Sequence, residues 1–286
     1  MLPRRRLLRA LSWLVYMGQR LHLVPRRFSL PRLSARDLAR SLDTVPAADA
    51  DVWLFTGCVM DAWQRNIHRA ALDVMDAVGV RAATPGGGGA CCGALHAHAG
   101  RPHEARKLAR RVIDAMPGDA PIVVDSAGCG AAMKDYERLL DTDAARAFAA
   151  RVRDFSEWLV GRGLPAMSPT GERVVVQDPC HLRHVQRGAD AVRRVLAPGY
   201  DVVETDDDGL CCGAGGAYNL LEPELAGAIR ARKVEAIRVA AGREPVLVAS
   251  ANPGCAMHLG AAGLDVRHPA ELVARTMINE EGERSG

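Results

Sequence analysis

Four short apolar runs punctuate the chain: VWLF at 52–55, IVV at 122–124, VVV at 174–176 and VLV at 246–248. None alternates with polar residues, and each ends in a turn-forming stretch. That is how a strand buried on both faces reads. The runs predict strands at 52–56, 122–125, 174–177 and 246–249. Between them the period changes to that of a helix. In 102–116, Leu108, Val112 and Met116 form a stripe beside Ala105, Ala109 and Ile113; Leu225, Ile229, Val234 and Ile237 do so in 222–240. Strands alternating with helices predict an α/β fold with parallel sheets flanked by helices. Ahead of these, residues 5–22 place Leu8, Leu11 and Val15, with Leu14 beside them, at helical spacing. The stretch 141–172 reads as a helix and a linker.

The cysteines show that the pattern is duplicated. Cys58 stands 33 positions before Cys91, and Cys180 stands 31 before Cys211. Adjacent pairs follow, Cys91–Cys92 and Cys211–Cys212, each continued by Gly-Ala. Cys129 and Cys255 close the two sets, each after a glycine. The offset between sets is about 120 residues throughout, so the chain holds two tandem, pseudo-equivalent repeats. The expected organisation is a basic helical arm and linker at 1–48, a first repeat at 49–140, a connection at 141–172, a second repeat at 173–276 and a disordered tail at 277–286.

Charge separates the arm from the body. Residues 1–40 hold ten Arg against Asp37, while the whole chain of 286 residues carries +3, leaving the body near −6. A mildly acidic body argues against a nucleic-acid groove. No run of about 18 apolar residues suggests a spanning helix, and the short apolar stretch in RRRLLRALSWLVYMG is split by Arg9 with no small-residue cleavage site after it. A cytoplasmic location follows, peripheral at most to the membrane face. In a reducing compartment, eight cysteines in a chain this long read as metal-binding or catalytic rather than as disulfides.

Cys58, Cys129, Cys180 and Cys255 each come just after an expected strand, and the adjacent pairs sit on glycine-rich loops before helices. Sites in open α/β sheets form beyond the carboxyl ends of strands. Two metal sites are therefore expected, Cys58, Cys91, Cys92 and Cys129 in one and Cys180, Cys211, Cys212 and Cys255 in the other. Converging thiolates suit zinc or an iron–sulfur cluster. The chain lacks the short C-x2–4-C knuckles of structural zinc sites, and two neighbouring thiols reach different irons of a cluster more readily than one ion, so the spacing favours iron–sulfur. Zinc, a vicinal disulfide and plain buried cysteines stay open as alternatives.

The repeated C…CCG…C pattern resembles the CCG cysteine-rich domain of heterodisulfide reductase subunits and of flavin-linked 2-hydroxy-acid oxidoreductases. LFTGCVMDA, CCGALHAHAG, AGCGA, CCGAGGAYNLLEPELA and NPGCAMHL, spread over roughly 50–275, are similar to the iron–sulfur subunit of bacterial glycolate oxidase (glycolate dehydrogenase). The resemblance implies up to two clusters, of 4Fe–4S type. It also implies flavin-containing partner subunits that oxidise a 2-hydroxy acid, with electrons passed on toward quinone. Two departures stand out. The ferredoxin-type C-x2-C-x2-C-x3-C-P motifs of that family do not occur in these 286 residues, so a separate ferredoxin-type module would have to complete the electron path. The general pattern ends each repeat in C-x-x-C, whereas here Ala132 and His258 occupy the last positions; His258 is a candidate extra ligand.

Other candidates read more plainly. His96 and His98 flank the first pair and suit solvated or capping roles better than ligation. His181 follows Cys180, where it could hydrogen-bond near a cluster or simply pack. TDDDG at 205–209 reads as a solvated turn. GGGGACCG lacks the G-K-[ST] of a phosphate loop, and GAGGAYN is a weak dinucleotide fingerprint. The arm suits a partner subunit, or an anionic membrane surface through Trp13, Leu14 and Tyr16. Three functional classes follow: an electron-transfer subunit without substrate chemistry of its own, an assembly module holding zinc or no metal, and a thiol–disulfide enzyme.

Overall fold

The structure, a computed structural model, describes residues 5–24, 32–39, 41–86, 89, 91–242 and 245–278. Eight strands form two sheets: β1 (Val52–Phe55), β2 (Ala82–Ala83), β3 (Ile122–Val124), β4 (Val152–Asp154), β5 (Arg173–Val176), β6 (Asp201–Val203), β7 (Leu247–Ala249) and β8 (Asp265–Arg267). The order is β2-β1-β3-β4 in one sheet and β6-β5-β7-β8 in the other, parallel throughout. The two sheets thus repeat one topology. The four apolar runs are the central strands β1, β3, β5 and β7, covered on both faces by helices.

The edge strands have no such signal. They are two or three residues long, and β6 and β8 are half exposed, with Asp201, Asp265 and Arg267 outward. β4 lies inside 141–172 and pairs with β3, so that stretch completes the first sheet as well as connecting the repeats. Met277 and Ile278, read from sequence as the start of a disordered tail, pair instead with Met167 and Ala166. Residues 279–286 lie outside the described residues.

The helices bury the expected stripes with one rotation. Ala105, Leu108, Ala109 and Val112 are buried in the helix Pro102–Ala115. In the helix Pro223–Ala241 the buried side is Ala226, Lys233, Val234 and Ile237, while Leu225 faces solvent. A cationic residue takes a core position there because it is paired, as described below. One apolar core spans both repeats, joining Leu54, Val74 and Phe155 of the first to Val176, Val195 and Leu272 of the second. The helix Arg65–Ala77 packs on Pro269–Thr276, and Phe155–Arg162 packs on Ala189–Leu196.

The arm helix Arg5–Arg20 docks through Leu8 and Ser12, with Leu11 and Val15 half-buried. Trp63 Nε1–H donates to Ser12 Oγ at 2.8 Å, and Arg9 Nη2 donates to Leu38 O at 3.0 Å. Leu14, expected near the docked face, is 68% exposed. No helix among the described residues is long and apolar enough to cross a membrane.

Candidate metal centres

Both sets of cysteines sit at the carboxyl ends of the central strands, where the order of each sheet reverses and a crevice opens. Cys58 follows β1 and caps the helix Val59–Trp63; Cys180 follows β5 and caps the turn His181–Gln186. Cys129 and Cys255 occupy the same position, third, in the helices Ala127–Lys134 and Pro253–Gly260 after β3 and β7. The adjacent pairs enter on loops. In each, the following glycine turns the chain with positive φ, 83° at Gly93 and 86° at Gly213.

Each set converges. In the first, the Cys58 side chain hydrogen-bonds Cys91 and that of Cys92 bonds Cys129, with electrostatic interaction across the set. In the second, Cys180, Cys211, Cys212 and Cys255 form a chain of side-chain contacts, Cys212 Sγ lying 2.9 Å from Cys255 Sγ. The thiols are unequal. Hydrogen bonds from Cys58 and the Gly93 amide bring Cys91 down to about 7, against the pull of burial. Cys58 and Cys92 are held well above the ordinary thiol range, first by their thiol partners and then by burial. The second set repeats this: Cys211 is driven far down by hydrogen bonds from Cys180 and Cys212, while both partners are driven up.

The donor set fits a soft, polynuclear metal group better than one ion. Four sulfurs meet in each crevice, the donor type of iron–sulfur clusters. Among the described residues no three His, Cys, Asp or Glu side chains stand ready to hold a single metal ion. Sulfurs around tetrahedral zinc lie about 3.8 Å apart, wider than the Cys212–Cys255 contact, so loading either metal group requires the thiols to part.

Around the sulfurs, the loops are clamped. In the first repeat His68 is fully buried: Nε2 lies 2.9 Å from Thr56 O and Nδ1 2.5 Å from Asp125 Oδ2. This ties the loop before Cys58 to the one before Cys129. The second repeat uses neutral groups there, Ser250 Oγ donating to Gln177 Oε1 at 2.7 Å. The TDDDG segment is more than a solvated turn. Asp207 is buried against Lys233, with Nζ 2.6 Å from Oδ2, and its Oδ1 accepts from Thr205 Oγ1 and the Gly209 amide. Burial raises the Asp207 carboxyl, but Lys233 and these donors hold it below its ordinary value. None of these clamps was read from the sequence; three neighbouring acids and one of only three lysines were the sole signal.

The histidines separate by role. His258 is buried, its Nε2 3.3 Å from Ala226 O, and its Nδ1 has no partner. It faces the second CCG loop, since a Cβ on Gly213 would meet its Nε2 at 3.3 Å. His181 Nδ1 lies 3.6 Å from Cys180 Sγ, and its ring stacks on His98 of the other repeat at 5.6 Å. His96 Nδ1 is buried without a partner.

Residues 52–134 and 174–260 match the model of the CCG cysteine-rich domain. The chain belongs to the CCG cysteine-rich domain family. The two matches fall on the two sheets, each enclosing one set of four thiols. Among curated CCG relatives, the chain is 32% identical over 233 residues to a probable glycolate oxidase iron-sulfur subunit of Bacillus subtilis, covering 77% of this chain and 51% of the relative. It is 31% identical over 242 residues to the glycolate oxidase iron-sulfur subunit of Escherichia coli, covering 80% and 58%. One subunit of the dihydromethanophenazine:CoB–CoM heterodisulfide reductase of Methanosarcina barkeri is 32% identical over 199 residues, 65% of this chain and 48% of its own length. The chain thus spans about half the length of the glycolate oxidase subunits it matches.

Proposed function

We propose that this CCG protein is an iron–sulfur electron-transfer subunit of a flavoprotein complex that oxidises a 2-hydroxy acid such as glycolate. The observation that carries the reading is the convergence of Cys58, Cys91, Cys92 and Cys129 in one crevice and of Cys180, Cys211, Cys212 and Cys255 in the other. Each set would hold one cluster, of 4Fe–4S type. A bound cluster supplies one-electron transfer without proton chemistry on a substrate. The chain's own groups hold the sulfurs in place, bury them from water and aim backbone amides at them, as the Gly213 amide does at Cys211 Sγ, 3.4 Å away. Nothing in the site marks a catalytic residue, so oxidation of the acid belongs to a flavin-bearing partner. A ferredoxin-type module would carry the electrons onward. Leu7, Leu14 and Met17, exposed on the docked arm helix, support a protein partner. Work at the cytoplasmic face, without a span of its own, fits this reading.

A second reading has its own support. A depressed thiol beside a raised one, Cys91 by Cys58 and Cys211 by Cys180, is the inequality that thiol–disulfide exchange uses. Metal analysis after anaerobic purification separates the readings. Iron with acid-labile sulfide is expected. Metal-free protein whose Cys91 and Cys211 titrate first would replace electron transfer by thiol exchange, and zinc alone would leave an assembly role.

A further inference from the structure

The two centres are built alike except at one side chain, the residue that precedes the helix carrying the last cysteine. In the first repeat this is Ser126, whose side chain makes no cap. In the second it is Asn252, and its amide does two things at once. Nδ2 donates to Cys255 Sγ at 3.5 Å, within its own repeat. Oδ1 accepts from the backbone amide of Gly128 at 3.1 Å, in the other repeat, one residue before Cys129. Beside it, the Ala127 amide donates to Ala251 O at 2.9 Å. The first helix is therefore capped by the chain that opens the second. Among the described residues, the side-chain nitrogens that reach a cysteine sulfur are Asn252 Nδ2 and His181 Nδ1, both in the second set.

A hydrogen bond to a ligand sulfur moves a cluster's potential. The donor's positive end stabilises the more negative, reduced state, and so raises the potential. We propose that Asn252 makes the two centres unequal: its bond to Cys255 Sγ sets the second centre at a higher reduction potential than the first, while its oxygen holds the two centres in fixed register. This rests on the iron–sulfur reading above. Each centre gains or loses one electron, and no bond is made or broken. The second centre is then the one that electrons reach and fill first.

The test is an EPR-monitored redox titration of the anaerobically purified full chain, with iron and sulfide measured on the same sample. The native protein is expected to titrate in two steps. A second preparation with Cys58→Ala and Cys129→Ala, lacking the first centre, assigns the higher step to the second. Asn252→Asp keeps the acceptor for the Gly128 amide but replaces the donor with a charge. Asn252→Ser copies the first repeat. Both should lower the higher step and leave the lower one in place, Asn252→Ser bringing the two together. Both should also remove from the second centre's spectrum the coupling to nitrogen seen when only asparagine is labelled with 15N. Unequal steps that Asn252→Ser leaves unchanged in a folded protein overturn the inference, as does a native protein with one common potential. Equal displacement of both steps overturns it too, because that is a general disturbance of the interface. Protein free of iron and sulfide overturns the iron–sulfur reading itself, and this inference with it.

Discussion

Gly93 and Gly213 explain why each adjacent cysteine pair ends in glycine. Both adopt positive φ, and both pass against the next helix. A Cβ on Gly213 would stand 2.6 Å from Ala226 O and 3.2 Å from the Arg230 amide; one on Gly93 would stand 3.1 Å from Ala105 O. Gly93→Ala and Gly213→Ala should each lose about 1–3 kcal/mol, more at Gly213, with metal content falling alongside stability in a urea titration. The cysteine set was legible at this scale because thiols in a matched spacing are rare, and the glycine beside them marked the turn. Buried ionisable groups were not legible. Burial pushes Asp154 up to about 7, and its Oδ2 has no partner while Oδ1 caps Ser156 N–H. A carboxyl raised in the folded state contributes stability fully present below its unfolded value near 4 and lost as pH rises through 7. His268, held down to about 4 by burial, acts in the opposite sense, losing stability as pH falls from about 6.5 toward 4. The two contributions mask each other in the native chain. Asp154→Asn keeps the cap oxygen, so its stability relative to native should climb from pH 4 to pH 8, by up to roughly 4 kcal/mol. Parallel stability curves would show that Asp154 ionises without penalty.

Among the elements, the central strands declared themselves and the edge strands did not. VVV at 174–176 is buried on both faces and leaves a continuous apolar run; Asp201–Val203 is an edge with one face in water and only three residues long. Two or three residues are too few to establish a period. The helix Pro223–Ala241 misled for a related reason. Its core side includes a lysine, which composition assigns to solvent, and its Leu225 faces out. The Lys233–Asp207 pair that draws the lysine inward joins this helix to the loop before Cys211. Lys233→Leu should strand a buried carboxylate and destabilise by about 3–5 kcal/mol. Lys233→Leu with Asp207→Leu should recover much of that loss in chemical denaturation. The double variant should still bind metal less well at the second centre, because Asp207 also holds Thr205 and Gly209.

Over the whole molecule the duplication was legible from cysteine spacing, down to the four central strands. What lay beyond reach was how the copies face each other, since nothing in one dimension records which helix of one repeat meets which helix of the other. That arrangement has a regular form. The helix after β1 packs on the helix after β8, and the helix after β4 packs on the helix after β5. By repeat, each is the first helix of one copy against the last of the other, given twice with the roles exchanged. This is the self-complementary contact of a two-fold homodimer, written here on a single chain. A true homodimer must carry identical residues at both sites, so its two centres can differ only by breaking symmetry. Fusion removes that constraint. One copy can hold asparagine where the other holds serine, and one clamp can be ionic where its counterpart is neutral. A covalent pair of halves is therefore a means by which one ancestral site becomes two with separate properties, and the tolerance of each position to substitution should differ between equivalent residues of the halves.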